Sequence, residues 1–265
     1  MSTEPDDLHD HRPVDDMRGK SILVTGAAQG LGQVIARQLA ARGVVVAALD
    51  IQDTGRTVDL IEAEGGRALR LRGDVTVQSS IEEGVNEIVS TTGRIDGLVN
   101  CAALFTTLQR RPFMELDLGE WERALAVNAT SVLLCTRAVA PRLVAQRAGA
   151  IVNIASNVVS YGASEFLQYV SSKSAIIGIT RGLARELGDH LVRVNTVSPG
   201  MVTTDITVAQ HGDEYRKRVI DTQCIKEPIR PRDIAEVVSF LLSDASRYIT
   251  GQNILVNAGS HMGPA

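Results

Sequence analysis

The stretch SILVTGAAQGLG, residues 21–32, together with the VVVAALD that ends at Asp50, decides the fold. Ser21–Thr25 is a short apolar run, and a turn carrying Gly26, Gly30 and Gly32 follows it. Leu31–Arg42 then spaces apolar residues at helical intervals, with Val34, Ile35, Leu39 and Ala40 on one side. Val44–Leu49 is apolar without interruption, as expected of a strand covered on both faces. Strand, glycine-rich turn, helix and strand make one βαβ unit, so the two strands run parallel.

The alternation continues outward. Thr54–Glu64 reads as a helix ended by Gly65 and Gly66, Arg67–Arg72 as a third strand and Val77–Thr91 as the next helix. Gly97–Asn100 is a fourth strand, and Leu118–Gln146 a long helical stretch expected to kink or break near Pro141. Ala150–Ala155 is strand five, Phe166–Leu187 a helix and Val192–Val197 strand six. Residues 201–229 show no clear period; Asp233–Leu242 is a helix and Asn253–Val256 a last strand. Such alternation implies right-handed crossovers and an α/β single domain over residues 19–265. Its core is an open, doubly wound parallel sheet of about seven strands with helices on both faces. Ligands of these sheets bind beyond the carboxyl ends of the strands. Asp50, Asp74, Asn100 and Ser156 all fall at that edge.

The 265 residues are 44% hydrophobic and 22% charged, with no linker or repeat, which favours one domain with a sizeable core. A net charge of −4 gives no support to a nucleic-acid or anionic-membrane partner. Residues 1–18 are acidic without an apolar run, and are expected to form a mobile tail rather than a signal peptide or membrane span. His9 and His11 read as solvated members of it. Cys101, Cys135 and Cys224 are widely spaced, which points to a reducing, cytoplasmic compartment and to neither a disulfide framework nor a metal site.

Gly26, Gly30 and Gly32 suit a turn that takes positive φ and lets a pyrophosphate approach without meeting a Cβ. Gln29 and Leu31 share that turn, and the helix starting there offers N–H groups to phosphate. Asp50, eighteen residues past Gly32, is placed to accept from ribose hydroxyls and to repel a 2′-phosphate. No Arg or Lys occupies Ala27–Gln29 or Ile51–Gln52, so NAD is expected over NADP. Asp74 and Val75 either meet the adenine edge, or Asp74 caps the helix that follows.

Tyr169 lies thirteen positions after Ser156, and Lys173 four after Tyr169. A phenol and an ammonium four residues apart share one helix face. A free tyrosine ionises near pH ~10, and a fixed positive charge beside it is expected to lower that value. Ser156, arriving from another element, is placed to hold a carbonyl or alcohol against the phenol, an apparatus for moving a proton on and off a substrate oxygen.

Taken together, these segments resemble the short-chain dehydrogenase/reductase family over residues 18–260. The matching stretches are TGAAQGLG (25–32), Asp50, Asp74-Val75, VNCAA (99–103), LAVNATS around Asn128, NIAS (153–156), YVSSK (169–173), RVNTVSPG (193–200) and ITGQ (249–252). The resemblance implies a Rossmann-type fold and a tetrad of Asn128, Ser156, Tyr169 and Lys173. Tyr169 would be the acid/base, Ser156 the oxygen holder, Lys173 the ribose ligand and Asn128 the anchor of a water. It also implies cofactor contacts at Asn100, Ala102, Pro199, Gly200, Val202 and Thr204. Two departures stand out: Asn100-Cys101-Ala102-Ala103 where the family usually has Asn-Asn-Ala-Gly, and Ala258 in place of a common glycine.

The implied activity is an NAD-dependent hydride transfer from a secondary alcohol. Substrate walls are expected at Leu104, Phe105 and Thr106, at Ser156, Asn157, Val158 and Tyr161, at Phe166, and along 201–218. They are mostly apolar, which suits a small or medium alcohol, cyclic or aromatic. Arg110 and Arg111 read as solvated loop charges sooner than as anion contacts. The rival readings are a reductase of a ketone or 3-oxoacyl substrate, and a nucleotide-binding protein without catalysis. Relatives of this family pair through the helices corresponding to 118–146 and 166–187, so a homotetramer or dimer is expected.

Overall fold

The computed structural model describes residues 17–204, 207–208 and 212–262. Seven strands form one fully parallel sheet: β1 Ser21–Thr25, β2 Val45–Asp50, β3 Arg67–Arg72, β4 Gly97–Asn100, β5 Gly149–Ile154, β6 Val192–Pro199 and β7 Asn253–Val256. Their order is β3-β2-β1-β4-β5-β6-β7, so the chain reverses direction across the sheet between β1 and β4. That switch opens a crevice at the carboxyl edge.

The helices are α1 Gly30–Ala41, α2 Gly55–Ala63, α3 Gln78–Thr92, α4 Leu118–Leu125, α5 Ser131–Gln146, α6 Val158–Tyr161, α7 Leu167–Leu187, α8 Asp213–Thr222 and α9 Pro231–Leu242. Successive side chains of a strand point to opposite faces, which divides the core in two. Val24, Val46, Val99 and Val152 pack with Ile35 and Leu39 of α1 and Val238 and Leu241 of α9. Leu23, Leu49, Leu98 and Ile151 pack with Ile81 and Ile88 of α3 and Val139 and Leu143 of α5.

Three expectations change. Met17 is fully buried in the first core, so the packed chain begins inside the stretch expected to be a mobile tail; residues 1–16 lie outside the described residues. Pro141 sits inside α5 without ending it. Arg137, whose carbonyl Pro141 cannot serve, is exposed like Pro141 itself, so water can satisfy it. The irregularity falls instead on a π-turn, Ala126–Thr130, between α4 and α5. The stretch 201–229 contains α8. Helix Leu118–Gln146 is long and apolar enough to cross a membrane by composition, yet Cys135, Val139 and Leu143 spend that character on the sheet.

Candidate active site

A cleft of about 1040 Å³ runs along the carboxyl edge of the sheet, from Asp50 past the glycine turn to Lys173, Tyr169 and His261. It lies at the top of the range for small-molecule sites, enough for a dinucleotide and a small second molecule. Gly26 has φ +70°, and a Cβ there would stand 2.7 Å from the Ala102 Cα. A Cβ on Gly32 would stand 2.1 Å from the Gly26 carbonyl oxygen. Thr25 Oγ1 locks the turn to the end of β4 by accepting from the Cys101 and Ala102 amides at 3.1 and 3.2 Å. This bare backbone in front of α1 is a cradle that fits a pyrophosphate.

Asp50 is half-buried; its Oδ2 accepts from Ala28 N at 3.0 Å and its Oδ1 from Gln52 N at 2.9 Å. The carboxylate shapes the turn and keeps a lone pair on each oxygen for a ribose. Asp74 does not cap the helix that follows, whose N-cap is Val77; its Oδ1 accepts from Thr76 N and Thr76 Oγ1 at 2.8 and 2.7 Å, and both Asp74 and the buried Val75 line the cleft. A cation that inspection of the local loops misses is Arg72, in register with Asp50 on β3, whose Nε donates to the Ile51 carbonyl at 3.3 Å.

At the other end Lys173 is buried, and its Nζ donates to the Ile154 carbonyl at 2.8 Å. Burial pulls its pKa down to about 8. The ammonium stands 5.8 Å from the centroid of the Tyr169 ring. Tyr169 is half-buried, stacked on Phe166 at 4.9 Å and tilted against Phe105 at 5.2 Å. Desolvation among these rings pushes the phenol up to about 12, against the pull of a hydrogen bond with Ser156. This corrects the expected direction. With Lys173 turned to the Ile154 carbonyl, burial is the largest influence on the phenol, and the chain by itself keeps it protonated at neutral pH. Burial likewise pushes the Cys101 thiol up to about 11.

Two amides, Asn128 and Asn100, lie outside the cleft lining. Asn128, in the π-turn, is buried and brackets the loop after β4: Oδ1 accepts from Leu104 N at 2.7 Å, and Nδ2 donates to Leu104 O and Ser172 Oγ at 3.0 Å each. Ser172 in turn donates to the Tyr169 carbonyl at 2.8 Å, which links the Asn128 amide to the backbone of the phenol's helix. Asn100 is buried beneath the cleft and donates to Asn153 Oδ1 at 2.8 Å. Asn157 lines the cleft as expected, and its amide also holds the C-terminal segment: Nδ2 donates to Ser260 Oγ at 3.1 Å, and Oδ1 accepts from Asn257 Nδ2 at 3.0 Å.

Pro199, Gly200, Val202 and Thr204 line the cleft after β6, and a Cβ on Gly200 would meet Ile229 Cδ1 at 2.9 Å and Asn257 Cα at 3.0 Å. Gln29, Leu31, Ala102, Leu104, Val158 and Tyr161 line it too. Unforeseen is His261, stacked on Tyr161 at 4.4 Å, which no local motif marks; Arg110, expected as a solvated loop charge sooner than as an anion contact, lines the cleft.

A family model described as enoyl-(acyl carrier protein) reductase matches residues 26–261. The 3-oxoacyl-[acyl-carrier-protein] reductase FabG of Staphylococcus epidermidis is 36% identical over 246 residues, covering 92% of this chain and 99% of that protein. The 2,3-dihydro-2,3-dihydroxybenzoate dehydrogenase of Bacillus subtilis is 34% identical over 260 residues, covering 93% and 98%. The crystal structure of a short-chain type dehydrogenase/reductase from Mycobacterium marinum superposes with a TM-score of 0.87 at 29% identity, covering 94% and 98%. The chain belongs to the short-chain dehydrogenase/reductase family. It is an oxidoreductase built around a nicotinamide cofactor. Of its two departures from the usual family sequence, Ala103 is exposed at the cleft. Ala258 carries φ +53°, a left-handed backbone that a Cβ strains. Its carbonyl accepts from Cys224 N and Ile225 N at 2.8 and 3.1 Å, which holds it there.

Proposed function

We propose that this short-chain dehydrogenase/reductase oxidises a small secondary alcohol, cyclic or aromatic, with NAD⁺ in the cytoplasm. The observation that carries the reading is the convergence of Ser156, Tyr169 and Lys173 on the end of the cleft opposite Asp50. Gly26, Gly30, Gly32 and Asp50 would hold the dinucleotide at one end, and Lys173 its second ribose. When bound, it supplies the acceptor for a hydride from the carbinol carbon.

Ser156 and Tyr169 hold the substrate oxygen; oxidation requires that Tyr169 first give its own proton to solvent, after which the phenolate takes the hydroxyl proton as the hydride leaves the carbinol carbon. Phe105 and Phe166 wall the phenol from water. Asn128 positions the loop that carries Leu104 and Phe105. Unpaired Cys101, Cys135 and Cys224 support a reducing compartment.

A second reading, reduction of a ketone or 3-oxoacyl substrate, draws support from the names of the FabG relatives. Arg72 near Ile51 favours it by offering a 2′-phosphate a partner; Asp50 opposes it.

Steady-state rates with NAD⁺ and NADP⁺ over a panel of secondary alcohols, and with NADH and NADPH on the N-acetylcysteamine thioester of acetoacetate, separate the two. Oxidation of a cyclic alcohol with NAD⁺, lost by a factor of about 10² or more in Tyr169→Phe with dinucleotide binding within about twofold, is the expected outcome. Turnover of Tyr169→Phe at the wild-type rate removes the phenol from the reaction.

A further inference from the structure

We infer that the substrate end of the cleft is an anion seat anchored by Arg110, and that the substrate carries a carboxylate on the side of the molecule remote from the reacting oxygen. The carboxylate-bearing alcohol rests on the oxidoreductase reading above; the seat itself does not.

Charge is partitioned along the cleft. Among the described residues, the only carboxylates lining it are Asp50 and Asp74, both at the dinucleotide end. The substrate end has Arg110, Arg123 and His261. Arg37, Arg42, Arg70, Arg94 and Arg216 each pair with a carboxylate elsewhere on the molecule. Arg110 is held by neutral groups: its guanidinium lies over the Phe166 ring at 4.5 Å, and Nη1 donates to the Ser164 carbonyl at 3.3 Å.

The segment carrying it is pinned from both sides. Gln168 Nε2 donates to Gln109 O at 2.8 Å, and Arg111 N donates to Glu165 O at 2.8 Å. Glu120 lies buried beneath, accepting from Gln168 Nε2 at 2.7 Å, and does not line the cleft. Arg111 turns away to Gln109 Oε1, so one of the two adjacent arginines enters the site.

The Phe166 ring is shared: the Arg110 guanidinium lies 4.5 Å from its centroid and the Tyr169 ring stacks on it at 4.9 Å. A substrate ring lying along this wall would offer its hydroxyl to Tyr169 and a second group to the guanidinium. Among the described residues no carboxylate pairs with this planar fork, which matches a carboxylate bidentately. His261, stacked on Tyr161, offers a further ring nitrogen at the same end.

Saturation-transfer NMR with benzoate and its neutral counterpart benzamide tests the seat without turnover. Wild type is expected to bind benzoate about tenfold more tightly than benzamide at low salt. Arg110→Gln should erase that preference, Arg110→Lys keep part of it, and salt weaken it. In the reaction, the kcat/KM ratio of 3-hydroxycyclohexanecarboxylate over cyclohexanol should fall about tenfold in Arg110→Gln. Equal binding of the two aromatics by wild type, or a preference that survives Arg110→Gln, overturns the seat. A chain that discriminates benzoate through Arg110 but oxidises neither alcohol keeps the seat and loses the reaction. One that oxidises cyclohexanol but binds both aromatics equally keeps the reaction and loses the seat.

Discussion

Lys173 is a buried amine whose charge is opposed by its surroundings and accepted by a single carbonyl, that of Ile154. Its folded pKa of about 8 lies below the ordinary 10.5, so between those values the unfolded chain binds more protons and stability rises with pH. The penalty is complete below pH 8 and fades as pH climbs toward 10. Denaturant unfolding of wild type and Lys173→Met at pH 7 and pH 10 should therefore show the difference moving toward wild type, by a few kcal/mol, at the higher pH. A difference that stays constant would mean the amine is not desolvated. The spacing of Tyr169 and Lys173 was legible because a helix brings i and i+4 together whatever surrounds them. The direction of the phenol pKa was not, because burial by Phe105 and Phe166 comes from two other segments. Asn128 was obscure for the same reason: its partners lie 24 and 44 positions away.

The glycine turn and the π-turn position the cleft from two sides. At Gly26 both constraints coincide, a left-handed backbone and contact with Ala102. Gly26→Ala is expected to weaken dinucleotide binding at least about tenfold, since the added methyl would push the turn off β4; isothermal titration checks it. Binding at wild-type strength would show that the turn shifts freely. This turn was visible in the sequence because glycine spacing is a backbone requirement. The π-turn was hidden, since a helical period tolerates one wide turn, and Pro141 is the only nearby residue with a known rule against helix. Helix α8 was invisible for a different cause: none of its residues is buried, so it has no apolar stripe to read.

The molecule's topology follows from the order of strands and helices, and the seven-stranded parallel sheet agrees with it strand for strand. Beyond the fold, the helices on one flank leave large apolar side chains uncovered: Leu118 at 72%, Leu167 at 44% and Leu133 at 41% exposure, on α4, α7 and α5. Exposed apolar groups shared by adjoining helices suit an interface between copies. Sedimentation at micromolar concentration is expected to give a dimer or tetramer, and a monomer there would remove that assembly. At the cleft's far rim, the piece of chain after β7 hangs on the body through Asn157, Cys224 and Ile225. It contributes His261 to the wall without joining the sheet. A combinatorial library confined to residues 260–262 is therefore expected to retailor which molecules are admitted, with Asn157, next to Ser156, as the joint through which such changes reach the proton-handling groups.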